Sequence, residues 1–306
     1  MLDVIIVGGG PAGLSAALVL GRCRRRVLVC DTGQPRNAAS HPMHGFLTRD
    51  GVEPSEFLNL ARQQLCRYDS VELSPAQVVA AAREGGGFKV TLSNGPWFTC
   101  RKLLLATGIV DQIPAIEGIG DFYGRSVHHC PYCDGWEVRD QPLALYGQGE
   151  DGPDLALEMM LWSRDLVLCT DGESLSPANR ERLARRNIAV REEKMARLQG
   201  REGQLEHIIF ESGPPVACRA LFFSTGQHQP SDLAATLGCC VNEKDEIEVD
   251  RVAAAGTPGL YIAGDASWDV QLVILAAAEG AEAACAINKA LMSEDHEQEE
   301  RSLAAA

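Results

Sequence analysis

Leu2-Asp3-Val4-Ile5-Ile6-Val7 runs directly into Gly8-Gly9-Gly10-Pro11-Ala12-Gly13, and the apolar stretch of residues 14–20, LSAALVL, follows at once. The first six residues read as a buried parallel strand, and the apolar stretch reads as a helix. Between them stands G-x-G-x-x-G in the strand–turn–helix setting that a dinucleotide-binding fold requires. Gly8 permits the tight turn, Gly10 lets a pyrophosphate approach the backbone, and Gly13 lets helix and strand pack closely. Free N–H groups at the helix start then face the phosphates. The next strand, residues 26–30, ends at Asp31, placed to accept a hydrogen bond from a ribose hydroxyl.

Downstream the pattern partly repeats. Residues 101–108, RKLLLATG, read as a strand ending at Thr107 and Gly108. Residues 142–149, PLALYGQG, enter Gly147-Gln148-Gly149-Glu150-Asp151-Gly152, again with G-x-G-x-x-G spacing, and a helical stretch follows. A strand ending at Ser224-Thr225-Gly226 echoes Ala106-Thr107-Gly108. The expected architecture is α/β: two Rossmann-like three-layer domains, the second inserted in the first. Pro114 and Gly118 punctuate the first crossing, and a second crossing is expected near residues 241–250. The expected division is residues 1–114, an insert over 115–245, a return over 246–292, and a charged, disordered tail over 293–306.

Between the two glycine motifs lies His128-His129-Cys130-Pro131-Tyr132-Cys133-Asp134-Gly135, with the only C-x-x-C pair in the chain. Two sulfurs at that spacing can close a disulfide across one turn and open it again as electrons arrive or leave. A structural zinc site is the competing reading, but it usually needs four ligands, and no second C-x-x-C exists. His128 reads as a packing residue at a strand end, or as a base. His129 is open between the same readings. Upstream, His41 and His44 lie in the long connection after residue 35, near the first nucleotide motif.

The chain has 306 residues, 45% apolar, with a formal charge of −14. That length suits two domains with separate cores. The acidic balance argues against nucleic acid as a main partner, because phosphate binding wants clustered Lys and Arg. Arg22, Arg24, Arg25 and Arg26 form one basic patch, read as a solvated helix end. The 11 cysteines are too irregularly spaced for a secreted scaffold. No apolar run reaches bilayer length and no leader precedes the first strand, so a cytoplasmic protein off the membrane is expected.

GGGPAG at the start, a central C-x-x-C-D-G, an inserted second nucleotide motif and a late Gly264-Asp265-Ala266 followed by Gln271 resemble the low-molecular-weight thioredoxin reductases, from Asp3 to about Leu291. The likeness implies FAD in the discontinuous domain, a pyridine nucleotide in the insert, and a homodimer. It implies that Gly8, Gly10, Pro11, Ala12, Gly13, Asp31, Arg36, His44, Thr107, Gly108, Gly264, Asp265, Gln271 and Leu272 form the FAD site. Cys133 would be the sulfur nearest the flavin, and Cys130 the one that exchanges with substrate. Asp134 and His129 would handle protons. No metal is implied.

The chain departs from that family where it would meet the nicotinamide. Reductases that use NADPH carry His-Arg-Arg at the end of the second nucleotide strand, where this chain has Thr170-Asp171-Gly172. An anion there repels a 2′-phosphate. Glu150 and Asp151 stand in the pyrophosphate turn with the same wrong sign. NADPH is therefore disfavoured, and NADH stays open because Asp171 could hold a ribose hydroxyl. Val270 replaces an Arg of the reductases, and residues 35–50 form a longer connection. These features, with CPYCDGWE, resemble a branch containing small-molecule dithiol oxidases of the gliotoxin and holomycin type and atypical bacterial thioredoxin-reductase-like proteins. The expected function is FAD-dependent thiol–disulfide exchange, oxidising a dithiol and passing electrons through FAD to oxygen or another acceptor. Partners would be a small dithiol or a thioredoxin-like protein. The alternatives are a thioredoxin-type reductase fed by NAD(P)H or another donor, a zinc module, and a non-catalytic redox sensor.

Overall fold

The computed structural model describes residues 1–240, 242, 247–250, 255–267 and 270–305. Two Rossmann-like α/β domains account for them. In the first, the strands Val71–Ser74, Val27–Cys30, Leu2–Val7 and Trp97–Leu105 lie side by side in that order, all parallel. Leu260–Ile262, from much later in the chain, pairs in parallel with the second half of Trp97–Leu105. The first half of Trp97–Leu105 pairs antiparallel with Gly87–Leu92, and that strand with Val78–Glu84.

Register positions the site. Val7 lies beside Cys30 and Leu105, and Leu105 beside Ile262. Gly8, Asp31, Ala106 and Ala263 therefore leave the sheet at one edge, the carboxyl edge where open α/β sheets bind ligands. Alternate side chains of the first strand face opposite layers. Ile5 and Val7 enter one core with Leu28 and Leu103, while Val4 and Ile6 enter another with Val27 and Leu104. The second of these cores is closed by the helix Pro11–Arg22 and the helix Val273–Ala304.

Those two helices meet through small residues. A Cβ on Gly280 would stand 2.0 Å from the Ala12 carbonyl oxygen. Gly280→Ala is therefore expected to destabilise the protein by about 1–3 kcal/mol through overpacking, seen as a lower melting temperature. An unchanged melting point would mean that the helices separate at little cost.

The second domain repeats the plan. Ala189–Arg191, Leu166–Cys169, Leu143–Tyr146, Ala220–Phe223 and Val127–His128 form a five-stranded parallel sheet in that order. Met195–Arg201, Gln204–Phe210 and Val216–Ala217 form an antiparallel meander against it. The chain crosses between domains on two short antiparallel strands, Val110–Asp111 and Gln227–His228. Each follows one of the echoed Thr-Gly turns. The second crossing thus falls earlier than the stretch 241–250 suggested by sequence, of which residues 241 and 243–246 lie outside the described residues. Leu233, Ala234, Leu237 and Cys239 already pack into the first domain's core.

The last helix also runs further than sequence suggests, through Ala304 rather than ending near residue 292. Its extension is held at the root by charge. Glu294 pairs with Arg101 at 2.8 Å and with Lys102, and Asp295 pairs with Arg25 at 2.7 Å and Arg101 at 2.6 Å. Three side chains of the basic patch have partners within the chain: Arg22 donates to the Tyr68 hydroxyl at 3.4 Å, Arg25 to Asn288 and Asp295, and Arg26 to the Met1 carbonyl. Among the described residues, no helix is long and apolar enough to cross a membrane.

Candidate active site

A cavity of about 660 Å³ opens at the carboxyl edge of the first sheet and runs to the second domain. Its walls include Gly8, Gly10, Pro11, Ala12, Asp31, Arg36, His44, Thr107, Gly108, Gly264, Asp265, Gln271 and Leu272 from the first domain, and His129, Cys133 and Asp134 from the second. Of the residues that the likeness assigns to the FAD site and the redox chemistry, Gly13 and Cys130 are absent from the lining, and the candidate histidines His41 and His128 also lie outside it. Gly13 sits behind it: a Cβ there would meet the Gly8 carbonyl oxygen at 1.9 Å. Gly8 is equally closed, with φ 109° and the Ala106 oxygen 2.1 Å from an added Cβ.

Gly10 differs, because a Cβ built on it meets nothing within 4 Å. The first turn of the Pro11–Arg22 helix, with proline at its first position, opens onto that space. A backbone bare of side chain, free helical N–H groups and open volume suit a pyrophosphate. An elongated crevice that starts beside Asp31 and ends at a cysteine suits FAD, so the residues present fit that group.

Asp31 is half-buried and receives Arg62 Nη2 at 3.0 Å. Arg36 is the hub of the crevice. Its guanidinium donates to Asp111 (2.9 and 2.5 Å), Asp265 (3.0 Å) and Gln271 (2.7 Å). Gln271 and Gln227 exchange two amide hydrogen bonds, at 2.7 and 2.8 Å. Gly264 donates its N–H to Glu279 at 2.7 Å, which ties the Gly264-Asp265 turn to the last helix. His44 Nδ1 lies 3.4 Å from Asp50, while its buried Nε2 makes no hydrogen bond, with Glu137 at 3.5 Å. His41 pairs with Glu53 at the surface.

Cys130 and Cys133 are joined in a disulfide across the short helix Pro131–Asp134. The helix begins where the edge strand Val127–His128 ends, so the second sheet delivers the pair to the cavity. Cys133 lines it, and Cys130 is not part of the lining. His128 is buried against Phe222, with Nδ1 3.3 Å from Asp134. This is the packing reading of that residue, and it also orients the acid. His129 lines the cavity beside Tyr123 and Asp111.

The model of the pyridine nucleotide-disulphide oxidoreductase family matches residues 2–280. The chain belongs to this family. Within the family, the chain is 34% identical to a probable thioredoxin reductase of Arthroderma benhamiae, over 87% of this chain and 74% of that protein. It is 32% identical to thioredoxin reductase tcpT of Claviceps purpurea, over 87% and 86%. Among solved structures, HlmI superposes with a TM-score of 0.94 at 36% identity, covering 99% of this chain and 96% of that one. A putative thioredoxin reductase of Bacillus anthracis superposes with 0.92 at 33% identity, covering 96% and 100%. This oxidoreductase is thus a thioredoxin-reductase-like flavoprotein. It carries out FAD-dependent thiol–disulfide exchange with Cys130 and Cys133 as its redox-active pair.

The oxidoreductase's second glycine motif has the right backbone and an unusual content. Gly147 and Gly152 pack as the motif demands: a Cβ on Gly147 would meet Gly152 Cα at 2.5 Å. The Gly149 N–H, however, donates to Glu173 Oε1 at 3.2 Å, and Glu150 accepts from Asn179 at 3.0 Å. Asp171 is likewise engaged, accepting from the Met195 N–H at 2.8 Å and from the Tyr146 hydroxyl at 3.4 Å. The chain's own carboxylates occupy groups that a nucleotide would use. Nothing in the sequence marks Arg62, Asp111 and Tyr123 in the crevice, Gln227 against Gln271, or Glu173 here. None belongs to a motif, and only the fold brings them to the site.

Proposed function

We propose that the chain oxidises a dithiol to a disulfide at Cys130–Cys133, with oxygen or another non-nicotinamide acceptor taking the electrons from FAD. The observation that carries this reading is the Glu173 carboxylate on the Gly149 N–H, with Asp171 committed inside the domain. A pyridine nucleotide would have to displace one anion and approach others. When bound, FAD supplies a two-electron acceptor at the Cys133 end of the crevice. Gly8, Gly10, Pro11, Ala12, Gly13 and Asp31 would hold its adenosine half, and Arg36, His44, Thr107, Gly108, Gly264, Asp265, Gln271 and Leu272 the remainder.

The protein's own steps follow from the placement of the sulfurs. One substrate thiol gives its proton to His129 and bonds to Cys130 Sγ. The Cys130–Cys133 bond breaks with its electron pair on Cys133. The second substrate thiol loses its proton to solvent, attacks the mixed disulfide as a thiolate and releases Cys130, which recovers the proton held by His129. The substrate leaves as a disulfide, two electrons poorer, and the cysteine pair is reduced. Asp134, held by His128, stands beside the departing Cys133 thiolate to manage its proton. We further assign the chain to the cytoplasm as a homodimer, with a small dithiol as its substrate.

In air, dithiothreitol is expected to drive oxygen uptake and peroxide release in step with the disulfide formed. If dithiothreitol bleaches the flavin anaerobically but neither air nor an added artificial acceptor such as ferricyanide restores it quickly, the oxidase direction fails. The second reading, reduction of a protein disulfide with electrons from another donor, would then stand. The names borne by the relatives from Arthroderma benhamiae and Claviceps purpurea favour that second reading.

A further inference from the structure

The hydrogen bonds around Asp111 have a direction, and the direction decides where His129 carries its proton. Asp111 is buried and faces Arg36 twice, Nε to Oδ2 at 2.9 Å and Nη2 to Oδ1 at 2.5 Å. Burial works to raise its carboxyl, but the Arg36 hydrogen bonds, with His129 and Tyr123 nearby, outweigh it and hold the group below the ordinary carboxylate range. An ionised carboxylate only accepts and a guanidinium only donates. The Tyr123 hydroxyl, 3.3 Å from Asp111 Oδ2, therefore donates to Asp111. Burial, and then Asp111 itself, push that phenol well above its usual range, so it keeps its proton.

A phenol has one proton. With that proton directed at Asp111, the Tyr123 oxygen can only accept from His129 Nδ1, 3.3 Å away. Asp111 Oδ2, 3.7 Å from the same nitrogen, favours the same arrangement. Nδ1 then bears the hydrogen and Nε2 the lone pair. We propose that Tyr123 and Asp111, anchored by Arg36, are positioning residues that set the His129 tautomer and leave Nε2 as the base for an incoming thiol. This rests on the reading of His129 given above. Its logic is that of an imidazole oriented by a carboxylate, with a tyrosine interposed. The proton leaves the substrate S–H for Nε2 as the sulfur bonds to Cys130. The second substrate thiol attacks as its thiolate, its proton passing to solvent, and the proton on Nε2 returns to the Cys130 thiolate as that sulfur is displaced.

The charged and titratable groups facing His129 are Asp111 at the crossing, Arg36 from the connection after Cys30, Asp134 and His128 beside the cysteines, and Tyr123. Burial lowers the His129 pKa, and Asp111 offsets this only in part. The imidazole is therefore neutral at neutral pH, as a base must be.

The test uses the FAD-loaded protein with ¹⁵N-labelled histidine. NMR is expected to show His129 protonated at Nδ1. Tyr123→Phe removes the link, and Asp111→Asn replaces a pure acceptor with a group that also donates. Asp111→Asn should mix the tautomers and slow anaerobic bleaching by dithiothreitol roughly 10- to 100-fold, and Tyr123→Phe, which leaves Asp111 facing Nδ1, should do both to a smaller extent, while the bound flavin and melting temperature report whether each variant is folded. Asp111→Asn should also move the acid limb of the rate–pH profile to lower pH, because Asp111 favours the imidazolium. Tyr123→Phe should move that limb little. A proton on Nε2 in the wild type, or an unchanged tautomer in both folded variants, overturns the positioning chain. If the tautomers behave as described but His129→Gln reacts with dithiothreitol at the wild-type rate, the role of His129 as base falls instead.

Discussion

Replacing Cys133 with serine is expected to leave a yellow protein whose flavin no longer responds to dithiols. The expected loss in anaerobic bleaching rate is at least about 10³-fold, or about 4 kcal/mol in the barrier. The groups that fit FAD lie on the first sheet's edge, and none depends on this sulfur, so the cofactor should stay bound. A serine hydroxyl can neither close a disulfide with Cys130 nor leave one as an anion near neutral pH. Cys130→Ser should abolish dithiol turnover as well, so loss of activity alone does not tell the two sulfurs apart. Alkylation does. Nine other cysteines are free, Cys23, Cys66, Cys240 and Cys285 of them exposed, so alkylation is read peptide by peptide. In Cys133→Ser the surviving sulfur of the pair, Cys130, is not part of the crevice lining and should react with iodoacetamide whether or not FAD is loaded. In Cys130→Ser the surviving sulfur, Cys133, lines the crevice, and FAD should slow its alkylation by about tenfold or more. Protection of Cys130 instead would reverse the assignment of the two sulfurs.

The part of this site that was legible in sequence is the part set by local backbone geometry. A strand, a glycine turn and a helix occupy a dozen consecutive residues, and the need for Gly8 and Gly13 is visible in the contacts a Cβ would make there. The C-x-x-C pair is equally local. The crevice's polar network could not be read in the same way. Arg36 reaches Asp111, Asp265 and Gln271 across sequence separations of 75, 229 and 235 residues, and no spacing rule connects them. Tyr123 looked like one aromatic residue among others until the edge strand brought His129 beside it. The tail misleads for a related reason. Residues 293–304 are poor in large apolar side chains, yet Arg101 and Lys102 on the central strand hold Glu294, and a helix already started at Val273 continues through them. Composition reports how much surface a segment can bury. It does not report which charges wait for it.

The second glycine motif shows how a correct motif can coexist with a lost ligand. NADPH and NADH, at millimolar concentration under anaerobic conditions, are expected to leave the flavin oxidised, with bleaching at least about 10³-fold slower than with dithiothreitol. Two unit charges of like sign about 4 Å apart repel by about 4 kcal/mol at an effective dielectric near 20, or about 10³-fold in affinity. Glu173 stands at hydrogen-bond distance from the Gly149 N–H, where a pyrophosphate oxygen would lie. Glu150 and Asp151 occupy the same turn. NADH lacks the 2′-phosphate and so escapes any repulsion from Asp171, whose oxygens each accept one hydrogen bond, from Met195 and Tyr146, and keep lone pairs for a ribose hydroxyl, but the repulsion at the pyrophosphate turn remains. Both nucleotides carry the pyrophosphate, and both should fail. Glu173→Gln removes the nearest charge and keeps the shape. It should raise the weak affinity for NADH, followed by quenching of nicotinamide fluorescence, more than that for NADPH, because Asp171 still opposes the extra phosphate. Rapid bleaching of the wild-type flavin by either nucleotide would sink this account. It would mean that Glu173 swings away when a nucleotide arrives, and the chain would then be a reductase whose acidic cradle is a gate rather than a plug.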